Sequence, residues 1–222
     1  RYYMPTHDSS THLADIDLYN YRAKNVDLIW CDQVINLLQE ITKKNENYSI
    51  NDIGCNYGQV YKEIKRKKLE KKFSYHGYDI DDKFISIARE HLPELKNKIQ
   101  VLDIEKETPS SVQITICSAT FEHLDDPDKS LSNIFDSTTE YIILRTMIGS
   151  NDKRFIQSDF RFVNQPYNIN QYGLFEMSEK FFERGFNFTC IPDHATNMSM
   201  KYEVSEGSGV MRQMYIILGS KN

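Results

Sequence analysis

Short apolar runs rich in β-branched and aromatic residues recur along the chain near 48–53, 74–79, 99–103, 114–118 and 141–145, with helix-like segments between them. Strands that alternate with helical segments form βαβ units, because parallel neighbours can be joined only by a long crossover. The sequence therefore predicts an α/β fold with a mostly parallel sheet and helices on both faces. Two later runs, near 186–191 and 213–219, are expected to pair as a C-terminal antiparallel hairpin, giving seven strands in all. The helix starts are marked as well. Asp81 precedes "DKFISIAREHL", which stops at Pro93, and Asp126 with Pro127 opens "PDKSLSNIF". An acid at the N-cap and a proline in the first turn suit a helix N-terminus. A third helix, "SEKFFER", is expected to close at Gly185.

Composition narrows what such a fold serves. The 222 residues suit one large domain, and 40% hydrophobic content suffices for a full core. A net charge of -5 gives no electrostatic footprint for a polyanion, so no nucleic-acid partner is expected. The basic run "KEIKRKKLEKK", residues 62–72, reads as the solvated face and tail of a helix. The four cysteines form no C-x-x-C pair and the six histidines are scattered, so neither a metal site nor a disulfide framework is expected. With no membrane-spanning run, the expected compartment is the cytoplasm. Residues 1–45, which include the amphipathic pattern "VDLIWCDQVINLLQEI", are read as a helical cap or lid. Residues 46–222 are read as the main domain, with insertions around 146–177 and 192–212.

In an open parallel sheet, ligands bind beyond the carboxyl ends of the strands. The first strand ends in "DIGCNYG", which places an acid, two glycines and an asparagine at that edge. The spacing G-x-x-x-G fails both the G-x-G-x-x-G dinucleotide fingerprint and the phosphate loop. An acid beside the turn suits a ligand bearing positive charge and hydroxyls. The stretch resembles the first motif of the class I S-adenosylmethionine-dependent methyltransferases, roughly D/E-x-G-x-G-x-G, with Asn56 at the middle glycine. Three further matches follow in order: "HGYDID" with Asp79, "VLDIE" with Asp103, and "ICSATFEHLDDP". The resemblance covers roughly residues 45–150 and implies a Rossmann-like sheet, with S-adenosylmethionine as cofactor and S-adenosylhomocysteine as product. It implies that Asp79 takes the ribose hydroxyls and Ile80 packs on the adenine, with Asp103 and Ile104 at the adenine edge. The loop of Gly54, Cys55, Asn56, Tyr57 and Gly58 would pass under the methionine part. Ser118 and Ala119 would border the sulfonium, and Asp52 would help hold the ammonium.

His123, in "FEHL", lies just past the fourth strand, where acceptor and methyl should meet. A neutral imidazole there can take a proton from a hydroxyl or ammonium, with packing as the alternative role and Glu122 as the neighbouring rival. Cys55 is expected to be a small loop residue rather than a nucleophile. Arg145, Arg154 and Arg161, with the amide and aromatic cluster at 162–175, suit an anionic, hydroxylated acceptor, with a plain packed loop as the alternative for the cluster. Within that region Arg145, Tyr167, Asn170 and Tyr172, together with His194 in "DHATN", are the expected acceptor contacts. The expected activity is methyl transfer to a small polar molecule such as a sugar or nucleotide-linked sugar. The alternatives are an RNA or protein methyltransferase and a cofactor-binding subunit without turnover.

Overall fold

The computed structural model describes residues 16–157, 166–197, 203–204 and 207–221. The apolar runs form β1 (Tyr48–Ile53), β2 (Phe73–Asp79), β3 (Ile99–Val101), β4 (Val112–Ser118) and β5 (Thr138–Gly149), hydrogen-bonded in the order β3-β2-β1-β4-β5 and all parallel. β1 and β4 lie inside the sheet and bury nearly every residue, as strands covered on both faces must. Between them run α3 (Gln59–Arg66), α4 (Asp82–His91) and α5 (Pro127–Ser137). The expected caps are present: Asp81 accepts from the Lys83 amide at 2.9 Å, and Asp126 from the Lys129 amide at 3.0 Å. α6 (Leu174–Glu183) closes before Gly185, whose φ of 76° meets the usual requirement of a helix terminus.

The C-terminal hairpin is formed by β8 (Phe186–Pro192) and β9 (Met214–Lys221), and β9 docks antiparallel on β5. Two strands were not foreseen. β6 (Lys153–Gln157) and β7 (Tyr167–Gly173) pair antiparallel, and β7 joins the far end of β5 through Ile148 and Gly149. Over the described residues the sheet therefore has nine strands. The polar composition of "YNINQYG" disguised β7. Its Asn170 and Gln171 are buried and satisfy their amides on neighbouring backbone carbonyls, so they sit in a strand where apolar residues would be expected.

On one face, α2 (Ile29–Ile41) with α3 and α4 packs Val34, Ile35, Leu38 and Ile64 on Ile50, Ile114, Ile116 and Ile143. On the other, α5 and α6 pack Leu131, Ile134 and Phe181 on Ile53, Cys117 and Leu144. α2 thus belongs to the central core rather than to a detached cap. α1 (Ile16–Asn25) lies outside α4, where Tyr19 meets Phe84 and Tyr57 edge-on. Among the described residues no helix is long and apolar enough to cross a membrane, and no cluster of metal-ligating side chains occurs.

Candidate active site

The carboxyl ends of β1, β2 and β4 bring the motif residues together. After β1 the chain turns through Gly54 (φ 71°), Asn56 (φ 51°) and Gly58 (φ 81°), a left-handed sequence that glycine and asparagine accommodate best. The amides of Gly54 and Cys55 both donate to the Tyr78 carbonyl, which ties this turn to the end of β2. Asp79 closes the arrangement: its Oδ2 accepts from the Asn56 amide at 2.8 Å and its Oδ1 from the Asp81 amide at 3.0 Å. Burial raises the Asp79 pKa to about 6 against these two amide donors. The next residue, Ile80, is 67% exposed, an apolar side chain presented beside a buried acid.

Asp52 lies deeper. Its carboxylate is buried, accepts from the Tyr75 hydroxyl at 2.6 Å, and has no cationic partner among the described residues. Burial pushes its pKa up to about 7; the Tyr75 hydrogen bond opposes that rise and the charge of Asp79 adds to it. Tyr75 escaped notice in the sequence because it reads as an ordinary aromatic of a buried strand. Cys55 is buried, and burial drives its thiol well above the ordinary range, which agrees with a packing role. Tyr57 points into the α1–α4 contact. Asp103 accepts from the Glu105 amide at 3.0 Å and pairs with Lys106 at 2.7 Å, while Ile104 is buried in the core beneath α5.

The end of β4 supplies the opposite wall. Ser118 is buried, and Ala119 is exposed with a φ of 53°, a strained conformation for a residue with a Cβ. Thr120 folds back over the glycine turn: a Cβ on Gly54 would stand 1.9 Å from Thr120 Oγ1, so only glycine lets the two loops approach. A 3-10 turn, Phe121–His123, follows. There His123 Nδ1 lies 2.9 Å from the Asn168 carbonyl, and its ring meets Tyr167 edge-on. A carbonyl can only accept, so Nδ1 is the donor in this contact, and in the neutral ring Nε2 is the nitrogen that carries the lone pair. Glu122 is buried instead, accepting from the Thr146 hydroxyl at 3.1 Å.

The expected acceptor contacts are used differently. Asn170 is buried and donates to the Leu124 carbonyl at 2.8 Å; Tyr172 is buried and donates to the Phe121 carbonyl at 2.6 Å. Arg154 donates to the Asp125 carbonyl at 2.5 Å, and Asn168 bonds Asp125. Together with Tyr167 these residues brace the loop at 121–125. Arg145 is likewise committed. It is buried, it donates to Asp193 at 2.7 and 3.0 Å and to Thr196 at 2.8 Å, and its guanidinium lies over the Trp30 ring. An arginine so engaged has little left for a substrate anion. His194 is exposed at the start of α7 (His194–Asn197), and its amide donates to Gln33 of α2 at 3.0 Å. Arg161 lies outside the described residues.

Comparison with known proteins fits this geometry. Residues 51–140 match a family model described as a methyltransferase domain. No curated protein matches. Many solved structures do. An S-adenosylmethionine-dependent methyltransferase from Clostridium acetobutylicum superposes with a TM-score of 0.61 at 13% identity, covering 95% of this chain and 99% of that one. Magnesium protoporphyrin IX methyltransferase from Synechocystis, solved with bound S-adenosylmethionine, gives 0.55 at 14% identity, with coverage of 97% and 86%. A putative methyltransferase from Haloferax volcanii, solved in complex with the Trm112 methyltransferase activator, gives 0.62 at 15% identity, with coverage of 93% and 96%. The domain match, the shared fold and the ordered motifs agree: residues 51–140 match a methyltransferase domain, and the chain has the fold seen in S-adenosylmethionine-dependent methyltransferases.

Proposed function

We propose that this enzyme methylates a hydroxyl or amine of a small polar acceptor, such as a sugar or a nucleotide-linked sugar, with His123 as the proton acceptor. The observation that carries the reading is the contact of His123 Nδ1 with the Asn168 carbonyl at 2.9 Å. With Nδ1 as donor, the neutral ring has its lone pair on Nε2, which supports a proton-accepting role for His123 just past the end of β4.

The residues at the carboxyl edge suit the cofactor. Asp52 is a buried carboxylate that meets no cation among the described residues, which suits an ammonium group. Asp79, next to the exposed Ile80, offers a carboxylate to vicinal hydroxyls and an apolar face to a base. In this reading the turn of Gly54, Cys55, Asn56, Tyr57 and Gly58 underlies the methionine portion, and Ser118 and Ala119 border the sulfonium. Asp103 and Ile104 are left to the turn and the core. When bound, the cofactor supplies an electrophilic methyl group. The chain's own task is to hold the acceptor in line, exclude water and remove one proton, and positioning of this kind lowers barriers by roughly 7–11 kcal/mol in favourable cases.

The net charge of -5 supports a small acceptor over a polyanion. The basic run on α3 supports it too, because Arg66 and Lys67 are already paired with Glu63 and Asp32. The test is turnover with methyl-labelled cofactor on a panel of sugars, nucleotide sugars and small amines, for wild type and His123→Asn. Label is expected in a low-mass product, with the maximal rate of the variant down about 10²-fold or more and cofactor affinity unchanged. Label found only in RNA or protein would overturn the small acceptor; equal rates in both enzymes would remove His123 as base.

A further inference from the structure

We propose that Tyr75 is a positioning residue for the cofactor: its hydroxyl holds Asp52 for the ammonium group, so that cofactor binding expels a proton from Asp52 to solvent. The inference rests on the proposed use of Asp52 and adds what governs that residue.

Tyr75 lies on β2, two residues before Gly77, which is the Cα partner of Asp52 across the β1–β2 ladder. Its ring is wholly buried and packs against Tyr61 at 5.2 Å. Its hydroxyl reaches Asp52 Oδ2 at 2.6 Å, a length usual for a hydroxyl donating to a carboxylate. The path exists because residue 77 is glycine. A Cβ there would stand 3.0 Å from the Tyr75 hydroxyl, 2.9 Å from Cys55 Sγ and 2.8 Å from Ile99. Tyr75 remains a donor throughout, since burial and then the nearby Asp52 charge raise its phenol well above the ordinary range.

Among the described residues, the surroundings of Asp52 offer no other compensation. Asp79 and Tyr75 approach from β2, Cys55 from the glycine turn, Cys31 from α2 and Cys117 from β4, and none of these is a cation. Arg145 reaches the same region near Cys31, but Asp193 holds its guanidinium. In the ligand-free protein burial therefore keeps Asp52 partly protonated at neutral pH, its pKa raised to about 7. A bound ammonium reverses the preference and favours the carboxylate, so one O–H bond breaks on Asp52 and the proton leaves to buffer. Tyr75 makes that ionisation easier by donating to the charged form.

The experiment is calorimetric titration with S-adenosylhomocysteine in two buffers of different protonation enthalpy, from pH 6 to 8, for wild type, Tyr75→Phe and Asp52→Asn. The carboxyl carbon of Asp52 is followed by NMR in the ligand-free proteins. Wild type is expected to release a sizeable fraction of a proton below neutral pH, and Asp52→Asn to lose that release. Tyr75→Phe is expected to move the Asp52 midpoint upward by about one unit and to weaken binding at pH 7 several-fold, with the loss shrinking at pH 8. A Tyr75→Phe protein with the wild-type midpoint and affinity overturns the inference, as does equal proton release from wild type and Asp52→Asn. If Tyr75→Phe does not fold, the comparison of wild type with Asp52→Asn decides the proton release alone. Failure of the wild type to bind the cofactor would strike the reading of the site rather than the role of Tyr75.

Discussion

The two halves of the site handle buried polarity in opposite ways. On the β1–β2 side, Asp52 and Asp79 are buried carboxylates met only by a hydroxyl and backbone amides, and both have raised pKa values, about 7 and about 6. On the β4–β5 side Glu122, met by the Thr146 hydroxyl, is the exception, while Arg145 meets Asp193, Asn170 meets the Leu124 carbonyl and Tyr172 meets the Phe121 carbonyl. Buried groups without counter-charges are costly to the fold, and at the edge of the sheet they are candidates for completion by a ligand. Groups matched to one another are scaffolding. The lesson for this chain is that polar residues gathered around a site are not all ligand contacts.

The largest effect tests the scaffold half. Arg145→Ala leaves Asp193, which is fully buried, without its counter-charge, and breaking a buried pair by removing one partner costs about 3–5 kcal/mol. Urea unfolding should show that loss. A stable variant with only a raised acceptor KM would return Arg145 to the role of an anion clamp and blur the contrast between the halves.

Next comes the pH dependence of the ligand half. An unfolded aspartate titrates near 3.8, whereas burial raises Asp52 to about 7 in the folded chain. Between these values the folded state binds the extra proton, so the contribution of Asp52 to stability falls as pH rises from about 4 to about 7. Asp52→Asn removes that slope. Its stability relative to wild type should therefore increase across the window by an amount on the order of a few kcal/mol, read from denaturant melts at successive pH values. Parallel pH profiles for the two proteins would mean that Asp52 is already ionised and compensated.

A smaller effect bears on the same half. If Asp79 takes the ribose hydroxyls as proposed, Asp79→Ala removes charge-assisted hydrogen bonds worth about 1.5–3 kcal/mol, so affinity for S-adenosylhomocysteine should fall about tenfold or more. Calorimetry on a folded variant gives the answer, and an unchanged dissociation constant would end the ribose assignment.

The same contrast explains what the sequence could reveal. The ligand half is local: "DIGCNYG" and "HGYDID" each carry their turn, acid and following residue within a few positions, so the strands, the turn at 54–58 and Asp79 are legible by eye. Asp81, Asp126 and Gly185 are legible for the same reason, since a cap acts on its own helix. The scaffold half is assembled across long separations. Arg145 and Asp193 lie 48 residues apart, and His123 lies 45 from Asn168. Nothing at Arg145 announces a buried partner, so a free cation was the natural reading. β7 was hidden because its buried amides break the apolar pattern that marks a strand. Tyr75 was hidden because a tyrosine on a central strand looks like core, and only the close approach to Asp52 distinguishes it.

The smallest predicted effect is also the sharpest test of that long-range reading. Tyr172 packs its ring on Phe121 at 4.9 Å and donates its hydroxyl to the Phe121 carbonyl at 2.6 Å. Tyr172→Phe keeps the ring and removes only the donor. The Phe121 carbonyl retains a long bond from the Leu124 amide at 3.4 Å, so it is weakened rather than abandoned. The expected loss is about 1 kcal/mol, a drop in melting temperature of about 2–4 °C for a domain of this size. Cofactor affinity should not change, because the hydroxyl faces the back of the 3-10 turn that carries His123. An acceptor contact predicts the reverse, a raised acceptor KM at unchanged stability. Melting curves and acceptor kinetics on this one variant therefore distinguish a strand that braces the loop from a surface that reads the substrate.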